Sequence, residues 1–296
     1  MGLYKVGTHV FGLELPEAFS TVNLAQYSPF LIKTQENPLF CLKVAPPDAL
    51  CREDDLEEIG CFNEEPPYIK VFKKPDGGYV FDFMPQVKEQ MAGCLVTSPD
   101  FREGVLYMTN SLPADHLFSI NNALMLLFTF NTADKLTLLM HASVTRHEGY
   151  GNLFLGKSGT GKSTHSQLWI HNIPGCDLMN DDNPVVQVID SRVYVFGSPW
   201  SGKTPCYRNI KAPVRSFVRL VQAGTNHISR MSVLEAYMAF RMSSSCMKWN
   251  CAMADGVNGT IDKILQTIPC YHLDCLPDRD AALLCRKTVE QSVCKN

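Results

Sequence analysis

Along the first hundred residues, apolar positions recur in short alternating runs separated by turn residues. Segments 68–74 and 79–84 flank Pro75-Asp76-Gly77-Gly78 and predict a β-hairpin. Segments 94–98 and 105–109 predict two more strands. Between 45 and 67 the chain is acidic and bounded by Pro46-Pro47 and Pro66-Pro67, which predicts a surface loop or a short helix. Residues 117–131 gather apolar side chains between Ala123 and Phe130 and predict a helix. From Leu136 onward the pattern predicts strands at 136–144 and 152–155, a hairpin pairing 185–188 with 193–196, and strands at 216–221 and 271–274. Helices are predicted at 164–171, 232–242, 259–267 and 278–291, with Ser232 as N-cap and Glu235 at the capping-box position of the second. Many strands between few helices give an α/β chain, without the regular βαβ alternation of a doubly wound fold. The 296 residues divide into a β-rich region at 1–115 and a second domain at 116–296.

The most specific chemical signal is Gly-Lys-Ser-Gly-Thr-Gly-Lys-Ser at 156–163, a complete G-x-x-x-x-G-K-[ST] phosphate loop between a predicted strand and a predicted helix. Backbone N–H groups of such a loop curl around phosphate at a helix start, where the helix dipole favours negative charge. Candidate nucleotide-binding residues are therefore Gly156, Ser158, Gly159, Thr160, Gly161, Lys162, Ser163 and Thr164. Lys162 would reach the outer phosphates, and the Ser163 hydroxyl would bind Mg²⁺.

Asp181 and Asp182 follow the apolar Leu178-Met179, at a predicted strand end. One could hold Mg²⁺ and the other accept a proton from an attacking hydroxyl. Successive strand side chains point oppositely, so the two should not share a role. Further on, Gly197-Ser198-Pro199-Trp200-Ser201-Gly202-Lys203 and Arg208 form a loop that could close on a nucleotide, with Lys203 or Arg208 on phosphate oxygens. His141 ends an apolar run one tight connection before the phosphate-loop strand, which could bring it near the site.

Charge and composition narrow the function classes. A net charge of −3 gives no global basic excess, so nucleic acid is not an expected partner. No apolar run is long enough to cross a bilayer, and the first residues lack a signal-peptide pattern, so a cytoplasmic protein is expected. The 12 cysteines include no Cys-x-x-Cys pair and are expected to be mostly reduced, buried thiols. Strand alternation would split Cys270 and His272 from Cys275, which argues against a metal site there.

The order and spacing of His141-Ala142, the loop 156–163 and the Asp181-Asp182 pair resemble the kinase domain of HPr kinase/phosphorylase and its relatives, over roughly 135–290. The segment 197–203 is similar to that of bacterial HPr-kinase-like proteins of unassigned substrate. The resemblance implies a phosphoenolpyruvate-carboxykinase-type nucleotide-binding domain with a β-rich amino-terminal portion. It also implies ATP and Mg²⁺ as cofactors, Asp181 and Asp182 as base and metal ligand in unresolved order, and His141 as the family's strand histidine. The downstream Glu/Arg signature that handles HPr is not found, so the acceptor is an unspecified hydroxyl of a protein or small molecule. A nucleotide-binding module without efficient turnover, or a phosphohydrolase or phosphorylase using the same site, stays open, as does assembly into a homo-oligomer.

Overall fold

The computed structural model describes residues 1–19, 22–46, 49, 55–62, 67–85, 90–202 and 204–291. They form two compact units, Met1–Asn131 and Thr132–Asn296.

The first unit is a nine-stranded mixed sheet. Its strands in chain order are β1 (Gly2–Val6), β2 (His9–Glu14), β3 (Leu31–Ile32), β4 (Cys41–Ala45), β5 (Glu57–Cys61), β6 (Tyr68–Lys73), β7 (Tyr79–Met84), β8 (Gly93–Thr97) and β9 (Glu103–Met108). They lie in the order β3-β1-β2-β4-β9-β8-β7-β6-β5. The expected hairpin is β6–β7. Gly77 takes φ +89°, and Asp76 Oδ1 accepts from the Gly78 N–H at 2.8 Å, which closes the turn. The expected pair 94–98 and 105–109 is β8–β9. The acidic stretch 45–67 contains β5, an edge strand not expected from its composition. Residues 47–48, 50–54 and 63–66 of that stretch lie outside the described residues.

The helix α1 (Pro113–Thr132) starts four residues earlier than expected, with Pro113 in its first turn, where a missing N–H costs nothing. It packs within the first unit. The Phe130 ring packs at a tilt against Phe101 and Phe81, and side chains at Ser119 and Leu127 would collide with a Cβ on Gly93 or Gly104. The boundary between units falls at 131/132, at the last residue of this helix, whereas the sequence pattern put 116–131 with the second domain.

The second unit is also built on a nine-stranded sheet. Its first strands are β10 (Thr137–Leu139), β11 (Ala142–His147) and β12 (Tyr150–Leu155). After α2 (Lys162–Asn172) come β13 (Asp177–Asp182), β14 (Val185–Ile189), β15 (Arg192–Phe196), β16 (Lys211–Gln222) and β17 (His227–Arg230). Then follow α3 (Val233–Ser243), α4 (Cys251–Leu265), β18 (Cys270–Cys275) and α5 (Arg279–Gln291). The main path is β10-β14-β15-β16-β12-β11-β13, with β18 beside β16 and β17 beside β18. Alternation along β12 and β16 sends side chains to both faces. Leu153, Leu155 and Phe217 pack with Phe240 of α3 and Ile261 of α4, whereas Phe154, Val218 and Leu220 pack with Trp169 of α2 and Ala282 of α5. The result is a three-layer α/β unit.

Three expectations change here. The strand expected at 136–144 is two strands. The bridge Met140–Ser244 and the bond from the His141 N–H to Ser243 O (2.6 Å) pin the break to the end of α3. The helix α4 starts at Cys251, capped by Asn250 Oδ1, eight residues before the expected start. β16 is twice the expected length because its first residues pair with β15 and the rest with β12 and β18. The capping box at Ser232/Glu235 forms as expected. All ten cysteines among the described residues are free thiols, four of them buried. No described helix is long and apolar enough to cross a membrane.

Candidate functional site

The topology of the second unit brings three strand ends to one edge. β11 is antiparallel to both β12 and β13, and its first residue, Ala142, pairs with Leu155 on one side and Asp182 on the other. The phosphate loop leaves β12 at Leu155, β13 ends at Asp182, and His141 immediately precedes β11. The loop, both aspartates and the histidine therefore meet because of register, though 41 positions of sequence separate His141 from Asp182.

In the loop, Gly156, Gly159 and Gly161 all take positive φ, at +154°, +80° and +99°. Gly161 is the N-cap of α2. A Cβ there would meet nothing within 4 Å, so a side chain would be disfavoured by the left-handed backbone and by what the open cradle must admit, not by packing.

Lys162 is only 8% exposed. Its ammonium donates to Gly156 O at 2.9 Å, to Lys157 O at 3.2 Å and to His141 Nε2 at 2.8 Å. Burial pulls it below its ordinary pKa, and the Asp182 and Asp181 carboxylates push the other way. An ammonium has no acceptor to offer, so His141 Nε2 accepts and the ring proton sits on Nδ1, 3.0 Å from Asp182 Oδ1. Lys162, His141 and Asp182 thus form a continuous relay.

The two aspartates have different surroundings. Asp181, buried, accepts from Ser163 Oγ at 3.1 Å through Oδ1. Asp182 faces His141 and accepts from Asn183 Nδ2 at 2.8 Å. Its φ of +128° is a strained backbone for a residue with a side chain, worth roughly 1–3 kcal/mol. The following loop holds it there. Ser201 bridges Asp182, and the Gly202 N–H and Ser201 Oγ both donate to Asp181 O, at 2.6 and 2.9 Å.

Three connected cavities surround the loop. A chamber of about 510 Å³ contains Lys162, Ser163, Asp181 and Asp182. It shares His141, Ser158 and Gly159 with a larger cavity of about 720 Å³ beside α3. It shares Gly161 and Thr164 with a smaller one of about 310 Å³, walled by Leu168, Ala223, Leu276 and Pro277.

No protein-family model matches the chain, and no curated protein matches it. A solved structure, the Hpr(Ser) kinase/phosphatase from Coxiella burnetii, is similar over 52% of this chain and 90% of that chain, at 14% identity and a TM-score of 0.33. A likeness at that TM-score is too slight to weigh, and the functional reading rests on this chain's own geometry.

Not every expected residue joins the site. Arg208 does not reach the loop. Its Nη1 lies 2.9 Å from Asp177 Oδ2 and also donates to Leu178 O, at the opposite end of β13. Five residues of strand, roughly 16 Å, separate that end from Asp182. Lys203 lies outside the described residues. Trp200 of the same loop is buried.

Other residues reach the loop without a sequence signal. Gln222 Nε2 donates to the carbonyls of Gly159 and Thr160, at 3.2 and 3.4 Å, from the end of β16. Its one trace in the sequence is that it follows the apolar end of that strand. Ser243, whose carbonyl holds His141, comes from α3 and has no local pattern at all. Elsewhere His147, Glu148 and Glu290 lie close together, but Arg215 faces both glutamates at 3.3 and 3.4 Å and Arg286 faces Glu290 at 3.1 Å. That cluster is an ion-pair network.

Proposed function

We propose that the second unit is a phosphoenolpyruvate-carboxykinase-type phosphate-loop domain that binds ATP with Mg²⁺ and transfers the γ-phosphoryl group to a hydroxyl. The observation that carries this is the meeting of Lys162, Ser163, Asp181, Asp182 and His141 in one chamber at a complete phosphate loop. The chamber fits a hard cation. Ser163 Oγ and Asp181 Oδ1 lie 3.1 Å apart and offer the oxygen donors Mg²⁺ requires. When bound, Mg²⁺ would neutralise charge on the phosphate oxygens.

The chain's own groups then divide the work. Lys162 exchanges its loop carbonyls for phosphate oxygens and stabilises charge on the transferred group. Asp182 accepts the proton as the acceptor O–H bond breaks and the new O–P bond forms, while the bond from the γ-phosphorus to the bridging oxygen breaks and ADP leaves. His141 acts as a positioning residue that aligns Asp182 through Nδ1. Lys162 Nζ faces His141, which marks the γ-phosphate end. The nucleoside then extends the other way, past Thr164 into the small cavity, whose walls carry no Lys, Arg, Asp or Glu among the described residues.

Calorimetric titration with ATP tests the reading. Lys162→Ala should weaken binding by about 1.5–3 kcal/mol, the scale of a charge-assisted hydrogen bond. Equal affinity in the parent and this variant would remove the loop as a nucleotide site. Incubation with ATP alone, then with hydroxyl acceptors, separates transfer from hydrolysis.

A further inference from the structure

On the basis of the MgATP reading, we infer that the cavity between the loop and α3 seats the acceptor, and that this acceptor is a small hydroxyl compound carrying a carboxylate or phosphate. The cavity adjoins the chamber through His141, Ser158 and Gly159 and borders the small cavity through Thr160 and Gln222; at its His141 side it reaches the γ-phosphate end, where an entering hydroxyl would meet the phosphorus. Its volume of about 720 Å³ is that of a small-molecule site.

Charge identifies the class. Lys157 and Arg219 line this cavity, and among the described residues no carboxylate does. The neighbouring chamber holds two carboxylates and suits a cation instead. Arg219 is fixed in place by β16. It pairs with Leu155, the last strand residue before the loop, and shares the face of Phe217, whose ring packs 4.5 Å from Phe240 of α3. The residue is half-buried, and among the described residues its guanidinium makes no hydrogen bond or ion pair. Glu235, whose carboxyl feels Arg219, is engaged in the cap of α3 through Ser232 N and Oγ, at 2.8 Å each. An arginine fork held without a partner at the rim of a cavity matches the two oxygens of a carboxylate or phosphate. Ala239 and Met242 supply an apolar wall for the carbon skeleton.

The test uses the full chain with three probes of similar size: D-glycerate, glycerol 3-phosphate and uncharged glycerol. Binding to the complex with Mg²⁺ and a non-hydrolysable ATP analogue is measured by calorimetry, and ADP release with MgATP by a coupled assay. At least one anionic probe should bind and turn over with a KM at least tenfold below that of glycerol, and which one does so distinguishes carboxylate from phosphate. Arg219→Gln should raise that KM by about 10- to 100-fold with a smaller change in kcat, and leave the KM for glycerol in place. Arg219→Lys should recover part of the loss. The Kd for the ATP analogue is the control: its absence in the parent defeats the nucleotide reading, whereas its presence isolates the acceptor question. With the nucleotide bound, no preference for either anion, an Arg219→Gln variant matching the parent, or turnover with peptide hydroxyls alone would overturn the inference.

Discussion

The two ends of β13 carry the same residue type in opposite circumstances. At its start, Asp177 is held by Arg146, at 3.1 Å to Oδ1 and 2.7 Å to Oδ2, and by Arg208 at 2.9 Å. Burial raises its pKa, but the bonds and charges of the two arginines outweigh this and keep the carboxyl below its usual range. At the other end, no arginine among the described residues pairs with Asp181 or Asp182. Their partners are a hydroxyl, an imidazole and the Asn183 amide; the first two can exchange a hydrogen bond for a metal or a proton. Charges at the first end are neutralised within the fold, and charges at the second remain available. A carboxylate's chemistry is thus decided by which cations the sheet register delivers to it, and Arg146 is delivered to Asp177 directly across the β11–β13 ladder.

The largest expected effect separates the two ends by activity. Asp182→Asn should lower phosphoryl transfer by roughly 100-fold or more, the scale of losing a general base, with ATP affinity nearly intact. Asp177→Asn should leave the transfer rate unchanged. Comparable losses in both would erase the distinction.

The next effect concerns the helix that faces the loop end. α2 is tied to β11 by the Ser143–Ser166 hydroxyl pair at 2.6 Å and carries His165, which accepts from Trp169 Nε1 at 3.1 Å. Burial pushes the His165 imidazole down to about 4. Its folded-state pKa lies below the unfolded value of 6.5, so the unfolded chain binds the extra proton between these values and stability falls as pH falls through that window. The gap is worth roughly 3 kcal/mol, lost between about pH 6.5 and 4. His165→Gln, which keeps an acceptor for Trp169, should flatten that part of the profile in denaturant titrations at successive pH values. An unchanged slope would show that the imidazole does not titrate this way.

The smallest effect belongs to the start of the strand. Asp177→Asn should cost about 1 kcal/mol of stability, because the pair is partly exposed and water screens it. Its lowered pKa means the contribution is present above the usual carboxylate range and fades as pH falls through the folded value. Chemical denaturation at pH 7 measures it; a loss of several kcal/mol would mark a far more buried pair.

The same contrast explains what the sequence disclosed. The loop 156–163 was legible because its chemistry is local: one contiguous backbone segment makes the cradle. Most strands and the capping box at Ser232 were legible for the same reason. His141 was visible as a residue near the loop and through the family resemblance, but its bonds to Lys162 and Asp182 were not, since they come from the register of three strands. Arg208 looked available because nothing in its own loop reveals Asp177. Arg219 sat inside an apolar run, and its solitude depends on Glu235 being held by a helix cap. The break at Met140-His141 was hidden because Leu138 to Met140 is apolar and nothing local interrupts it, while the contact that splits it comes from the far end of α3.

The most direct test of the account compares the two ends in one titration. ATP binding is measured calorimetrically with and without Mg²⁺ for the parent, Asp181→Asn and Asp177→Asn. The parent should bind ATP more tightly with Mg²⁺, Asp177→Asn should keep that gain, and Asp181→Asn should lose about tenfold or more of it. A gain that survives Asp181→Asn in full, or a parent that shows none, would contradict the assignment of the loop end of β13 to metal-assisted nucleotide binding.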